Sequence, residues 1–205
     1  MTSLIDKQIL RTALWLPILL LSLSACVGNG GKIPEDHYYR LPAIHQTTPA
    51  NNALFKVPVY IEPVTASGIL NERSMLYSEK QNPNEVKHYF YRHWADSPSK
   101  MIRQHLVDYL ETTKAANTVE LDSNSTAIAR ISVTLLHFER VINGGNTEAK
   151  VTLKISYTLP GTRTTTKTYT NGIKAKEASV YASVETFGEA LEGIYADWLA
   201  DVGNS

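Results

Sequence analysis

The side chains able to do chemistry are few and scattered. Cys26 is the only thiol in the 205 residues. It cannot close an internal disulfide, and its neighbours offer no metal-ligand spacing. Six histidines (His37, His45, His88, His93, His105 and His137) invite a metal, yet none stand at HxH, HxxxH or HExxH spacing. His105 and His137 fall inside regular elements and read as partly buried packing residues. Asp96, Glu111, Asp122 and Glu139 are carboxylates an acid–base pair would use, but nothing sets them apart from solvated surface groups. No GxSxG elbow supports a serine nucleophile, and "GNGGK" at 28–32 lacks the spacing of a phosphate-binding loop. No cofactor, no metal and no catalytic activity are expected.

Aromatic residues are less evenly spread. "HYYRLP" (37–42) and "HYFYRHW" (88–94) concentrate Tyr38, Tyr39, Tyr89, Phe90, Tyr91 and Trp94. Neighbours on a strand point to opposite faces, so some of these rings leave the core. Exposed, they serve an interface or an apolar ligand. Tyr38, Tyr39, Tyr89 and Tyr91 are the interface candidates. The plainer alternative is that the two segments pair at a sheet edge and cover each other.

The surroundings of Cys26 explain the lone thiol. Lys7 and Arg11 stand against Asp6, and the uncharged run "ALWLPILLLSLSA" follows at 13–25. A basic start, a short apolar run and small residues before a cut describe a secretory signal. The run is too short for a bilayer, which takes about 20 apolar residues. Leu23-Ser24-Ala25-Cys26 resembles the bacterial lipobox. That resemblance implies removal of residues 1–25, a diacylglycerol on the Cys26 thiol and acylation of the new amino group. Each buried methylene contributes about 0.8 kcal/mol, so two or more chains anchor stably where one is marginal. Residues 26–36 then form the lipidated cysteine and a glycine-rich flexible tether. Position 27 is Val rather than Asp, which points to the outer membrane over the inner one.

The remainder, 37–202, suits one domain with a real core. Twenty basic residues balance twenty acidic ones, so nothing suggests a nucleic-acid partner. Segment 37–42 reads as a short strand and 43–53 as a polar loop. "LFKVPVYIEPV" (54–64) alternates Phe55, Val57, Val59 and Ile61 on one face, although Pro58 and Pro63 disfavour a central place for the whole run. "SMLYSE" and "VKHYFYR" read as strands around a turn at "KQNPNE". Residues 96–113 form a helix capped by Ser97, with Pro98 in its first turn and Ile102, Leu106, Tyr109, Leu110 and Thr113 on one face. "TVEL" is a short strand. Strands at 127–142 and 148–159 join at "NGGN", a hairpin turn by composition, and 163–173 is a more polar third strand. A last helix at 180–202 carries the stripe Val180, Val184, Phe187, Leu191, Ile194 and Trp198. The order predicts an α+β domain: a mostly antiparallel sheet with two main helices packed on one face.

Several of these stretches together resemble the ABC-type transport auxiliary lipoprotein family, the paraquat-inducible lipoprotein C type. They are the lipobox and linker, "YYRLP" (Tyr38–Pro42), "SGILNERSMLYSE", "RHWADSPSKMIRQHL" with its Trp94-Ala95-Asp96-Ser97-Pro98 approach to a helix, "ISVTLLHFERV" with Phe138-Glu139, and "YADWLADV". The resemblance implies a non-catalytic accessory of an ABC lipid transport system, anchored to the periplasmic face of the outer membrane. Its implied partner is an MCE-type substrate-binding protein, with ATP hydrolysed by a separate subunit. It also implies a phospholipid or sterol-like cargo and allows a homo-oligomer. Two other classes remain open. A lipid-binding carrier requires a closed apolar cavity between helices and sheet. An envelope hydrolase requires a polar cleft with a perturbed acid–base pair.

Overall fold

Residues 33–45, 53–120 and 127–204 are described by a computed structural model. The chain divides into two compact units, Met1–Glu35 and Asp36–Ser205. The segment expected to be a signal, Cys26 and most of the expected tether lie outside the described residues. In the second unit the elements run β1 (His37–Tyr39), β2 (Val59–Ile61), β3 (Thr65–Ala66), β4 (Ser74–Glu79), β5 (Asn82–Trp94), α1 (Pro98–Thr112), β6 (Val119–Glu120), β7 (Ala129–Asn143), β8 (Asn146–Thr158), β9 (Thr165–Lys174) and α2 (Val180–Gly203). This is the α+β order read from the sequence.

β7 organises the sheet. One of its edges pairs antiparallel with β8 from Arg130 to Asn143, and β8 pairs antiparallel with β9. Its other edge is shared in turn by β2, β3 and β4, all parallel to it. β5 runs antiparallel to β4, and β1 lies parallel to the last residues of β5. The sheet is therefore mixed. Its long ladders are antiparallel, and its parallel pairings are short. Pro58 and Pro63 explain why β2 holds an inner position with so few residues: the ladder fits between them, where no proline interrupts it.

A bulge keeps β7 in phase with its partner. Leu135 pairs with Leu153, yet His137 pairs with Thr152, so Leu136 is extra. Before it, Ala129, Ile131, Val133 and Leu135 are buried; after it, Phe138 and Arg140 are. Without the extra residue the second half of the strand would turn its apolar side to solvent. The hairpin to β8 closes at Asn143–Asn146, with Gly144 at φ 57°. The β4–β5 turn is tighter than the sequence suggests. Glu79 pairs with Asn82, so Asn82-Pro83-Asn84 belongs to β5. Pro83 is tolerated because β5 is an edge strand there, and no ladder needs its missing N–H.

Both helices bury the faces their spacing predicts. Ile102, Leu106 and Leu110 of α1 and Leu191, Ile194 and Trp198 of α2 are sealed from solvent, and Val180 is half-buried. They share one core with β7 and β8. Ser179 caps α2 by accepting the Ala182 N–H at 3.1 Å. Ser97 holds the cap position of α1, but its side chain makes no cap bond. Asp96 instead accepts the Ser97 N–H at 2.7 Å and meets Lys100 at 3.4 Å.

Candidate functional site

β5 is where the aromatic residues meet solvent. β1 covers it only at Arg92–Trp94, so Asn82–Tyr91 has a free edge among the described residues. The two aromatic segments do pair, and they cover each other only in part. Tyr38 stacks on His93 with ring centres 5.4 Å apart, and the Arg73 guanidinium lies 5.2 Å from its ring. Tyr38 nonetheless stays 57% exposed. Its neighbour Tyr39 is half-buried against the core, and its carbonyl accepts the Ala95 N–H at 2.7 Å.

Tyr89, Phe90 and Tyr91 diverge in the same way. Tyr91 is 45% exposed and Phe90 is 75% exposed. Phe90 has His88 beside it, ring centres 5.0 Å apart. Tyr89 is half-buried and packs on Tyr77 at 4.6 Å. Its hydroxyl accepts from Arg140. Burial raises the Tyr89 phenol above its ordinary range, against the pull of the guanidinium. Of the four tyrosines proposed from sequence, Tyr38 and Tyr91 thus reach solvent, while Tyr39 and Tyr89 hold the edge in place. The most exposed ring of this segment, Phe90, is outside that set. Its adjacency to Tyr89 on a strand was the available signal.

Arg140 fastens this edge to the domain, and nothing in the sequence singles it out. Its side chain is buried, with 3% exposure. Nε donates to Ser183 Oγ at 2.9 Å, Nη2 donates to the Ala178 carbonyl at 2.8 Å, and Nη1 donates to the Tyr89 hydroxyl. One guanidinium thus joins β7, β5, the loop before α2 and the first turn of α2. Among the described residues no carboxylate takes part.

The carboxylates Asp96, Glu111 and Glu139 have separate surroundings. Among the described residues no three His, Cys, Asp or Glu side chains assemble as a metal site. His137 is half-exposed, rather than partly buried, and lies 3.6 Å from the buried Glu139. Glu111 is exposed, and Asp122 lies outside the described residues. Hydrogen bonding from the Ser97 N–H holds the Asp96 carboxyl below its usual range, with Lys100 adding to the effect.

A second feature lies beside α1. The segment after β1 crosses both helices as a strap. Pro42 packs on Gly188, where a side chain would collide with it. The His45 N–H donates to Glu192 Oε1 at 3.0 Å, and its ring lies 3.1 Å from the same oxygen and 3.6 Å from Glu185. Between strap and helix runs an open groove of about 530 Å³, lined by Leu41, Pro42, Met101, His105 and Asp108 among others. His105 is 4% exposed, and among the described residues neither ring nitrogen has a hydrogen-bond partner. Burial pushes its pKa down to about 4, against the opposing pull of Glu192 and Asp108.

That burial makes a pH prediction. The unfolded chain protonates His105 near its ordinary value and the folded chain only near 4, so the unfolded state binds more protons between the two. Stability is full above pH 6.5 and falls as pH drops towards 4. The loss is about 3 kcal/mol. Urea titrations at pH 7 and pH 4.5 should show His105→Phe losing less stability than the parent. Equal losses in the two proteins would refute this account of the histidine.

The model of the family described as ABC-type transport auxiliary lipoprotein component matches residues 39–197. The chain belongs to this family. Members are named as auxiliary components of ABC transport rather than as catalysts, and the family name places them in association with an ABC transport system. The lipoprotein description fits a membrane-anchored envelope protein. No helix among the described residues is long and apolar enough to cross a membrane. No curated protein matches the chain in sequence. Among solved structures, a Xanthomonas campestris protein of family DUF330 is similar, with TM-score 0.70 and 16% identity over 82% of this chain and 97% of the other. A protein described only as uncharacterized has TM-score 0.67 and 14% identity over 82% and 99%. At these identities the likeness concerns the fold. The auxiliary lipoprotein fold of this chain is thus shared by proteins of quite different sequence.

Proposed function

We propose that this lipoprotein docks an ABC lipid transporter at the membrane and that its direct partner is an MCE-type substrate-binding protein. The observation that carries the reading is the free edge of β5, with Phe90 and Tyr91 in solvent, and Tyr38 exposed on β1 beside it. Exposed aromatic rings supply much of the energy at interface centres. The interior favours docking over carriage of a lipid. Trp94, Phe138 and Phe187 pack ring to ring at 4.5–5.4 Å where a carrier needs room. The phospholipid or sterol-like cargo is then handled by the partner, and this chain acts as the anchor. A second copy of the chain is another occupant of the same edge.

The anchor completes the reading. Cys26 carries the acyl chains, on the periplasmic face of the outer membrane. Its tether of about ten residues reaches at most roughly 35 Å when extended. The domain therefore searches a thin layer next to the membrane, which raises its effective concentration for a partner there.

Two variants test this reading. Cys26→Ser abolishes the acyl mass by intact mass spectrometry and releases the protein from membranes. Phe90→Ser/Tyr91→Ser leaves the melting temperature within a few degrees and weakens crosslinked co-purification of transporter subunits roughly tenfold or more. A folded Phe90→Ser/Tyr91→Ser protein that captures the transporter fully places the contact elsewhere. If the wild-type protein captures no MCE component, the carrier reading replaces docking.

A further inference from the structure

The strap from Arg40 to His45 belongs to no helix or strand and is fixed chiefly at its two ends. At the near end the Tyr39 carbonyl accepts the Ala95 N–H at 2.7 Å. At the far end Glu192 accepts the His45 N–H at 3.0 Å and also meets its ring. Among the described residues no hydrogen bond reaches Leu41, Ala43 or Ile44 in between. The close fit there is Pro42 in the gap that Gly188 leaves on α2. A segment held so sparsely opens at lower cost than the elements beneath it.

His105 lies beside this strap with both ring nitrogens sealed and, among the described residues, unbonded. An imidazole kept there leaves a buried donor and a buried acceptor unmet, a cost that an apolar side chain would not carry. Water meets both atoms only when the cover moves away. Arg40, Leu41, Pro42 and Ala43 border the same groove as His105. The charged and titratable groups around the ring are Asp108 and Tyr109 on α1, Glu192 and Tyr195 on α2, His45 and Arg40 on the strap, and Asp96 ahead of α1. Glu192 and Asp108 favour the charged ring, His45 opposes it, and burial outweighs them.

We propose that the strap is a lid over His105, lifting between its fixed ends while both helices keep their places, and that protonation of His105 favours the lifted form. The lifted form returns the ring to water, where it takes a proton near 6.5, whereas the closed form takes one only near 4. Protons therefore bind the lifted form more tightly, and acid drives release. The ratio of lifted to closed strap at pH 5 is about twentyfold that at pH 7. Lifting bares the Gly188 gap and His105 on the helix side of the domain. The device is independent of the aromatic edge.

The test uses the full-length protein purified from membranes, with 15N-labelled histidine. Two variants loosen the strap without changing a charge: Pro42→Gly, and Gly188→Ala, whose new methyl would collide with the Pro42 ring. Each should raise the lifted population at least about tenfold, which lifts the His105 titration midpoint from about 4 by about one pH unit. Carbethoxylation of His105 at pH 7 should quicken by the same factor, while the exposed His37 reacts at an unchanged rate. Urea titration supplies the unfolding equilibrium constant of each protein. A folded Pro42→Gly protein whose His105 midpoint and reaction rate match the parent's overturns the lid. So does a gain in rate no larger than the gain in the unfolding constant, since exposure then comes from global unfolding. Reaction of His105 in the parent as fast as His37 would show that the strap does not seal it, and overturns the proposal as well.

Discussion

Leu106→Asp and Leu191→Asp each leave the domain unfolded. Both leucines have no exposed surface and sit in the shared core. A carboxylate there loses its hydration and finds no counter-charge, while the apolar contacts of the leucine are lost as well. The penalty exceeds about 4–5 kcal/mol, a large part of the roughly 5–15 kcal/mol that holds a domain of this size together. Circular dichroism should show no cooperative thermal transition for either variant. Lys114→Asp is the control. Lys114 is exposed and sits at φ 53°, a conformation that Asp tolerates better than most residues. Its melting point should stay within a few degrees of the parent. A cooperative transition near the parent's in both leucine variants would mean that the helices present other faces to the sheet.

Arg140→Ala produces the next largest loss, about 3–5 kcal/mol, and it loosens the candidate docking edge. Deleting the guanidinium leaves the Ala178 carbonyl and the Tyr89 hydroxyl without their donor and opens a void beneath α2. Arg140→Lys does not rescue it. An ammonium is a point charge and cannot reach Ser183, Ala178 and Tyr89 from one rigid plane. Hydrogen exchange separates this role from plain core packing. Amides of β5 near Tyr89 should lose protection first in Arg140→Lys, ahead of those in the β7–β8 ladder. Uniform loss across the domain would make Arg140 an ordinary core residue.

Much of the fold is legible in one chain because its periods are clean. The stripe from Val184 to Trp198 and the face from Ile102 to Thr113 are buried as their 3.6-residue spacing requires. Strand β4 coincides with "SMLYSE". Alternation in Val151, Leu153, Ile155 and Tyr157 assigns the inner face of β8. These are local regularities, enforced by the geometry of each element whatever it packs against. The lipobox resemblance is local too, since it rests on four consecutive residues, Leu23-Ser24-Ala25-Cys26.

The sequence alone thus determines the α+β elements, the apolar faces that make the core and the order of segments that marks the family. It leaves open how strands are shared and which aromatic rings escape burial. Both depend on contacts between residues far apart in the chain. Three short segments divide one edge of β7, and nothing in Val59–Ile61, Thr65–Ala66 or Ser74–Glu79 alone says so. The bulge at Leu136 is visible only once β8 supplies the register. Tyr89 and Phe90 are chemically alike and adjacent, yet Arg140, fifty-one positions from Tyr89, draws one inward and leaves the other in solvent. His105 reads as a packing residue until the strap from Arg40 to His45 crosses the helices. Only then do its ring nitrogens stand buried without a hydrogen bond among the described residues, because burial and electrostatic surroundings belong to the assembled structure.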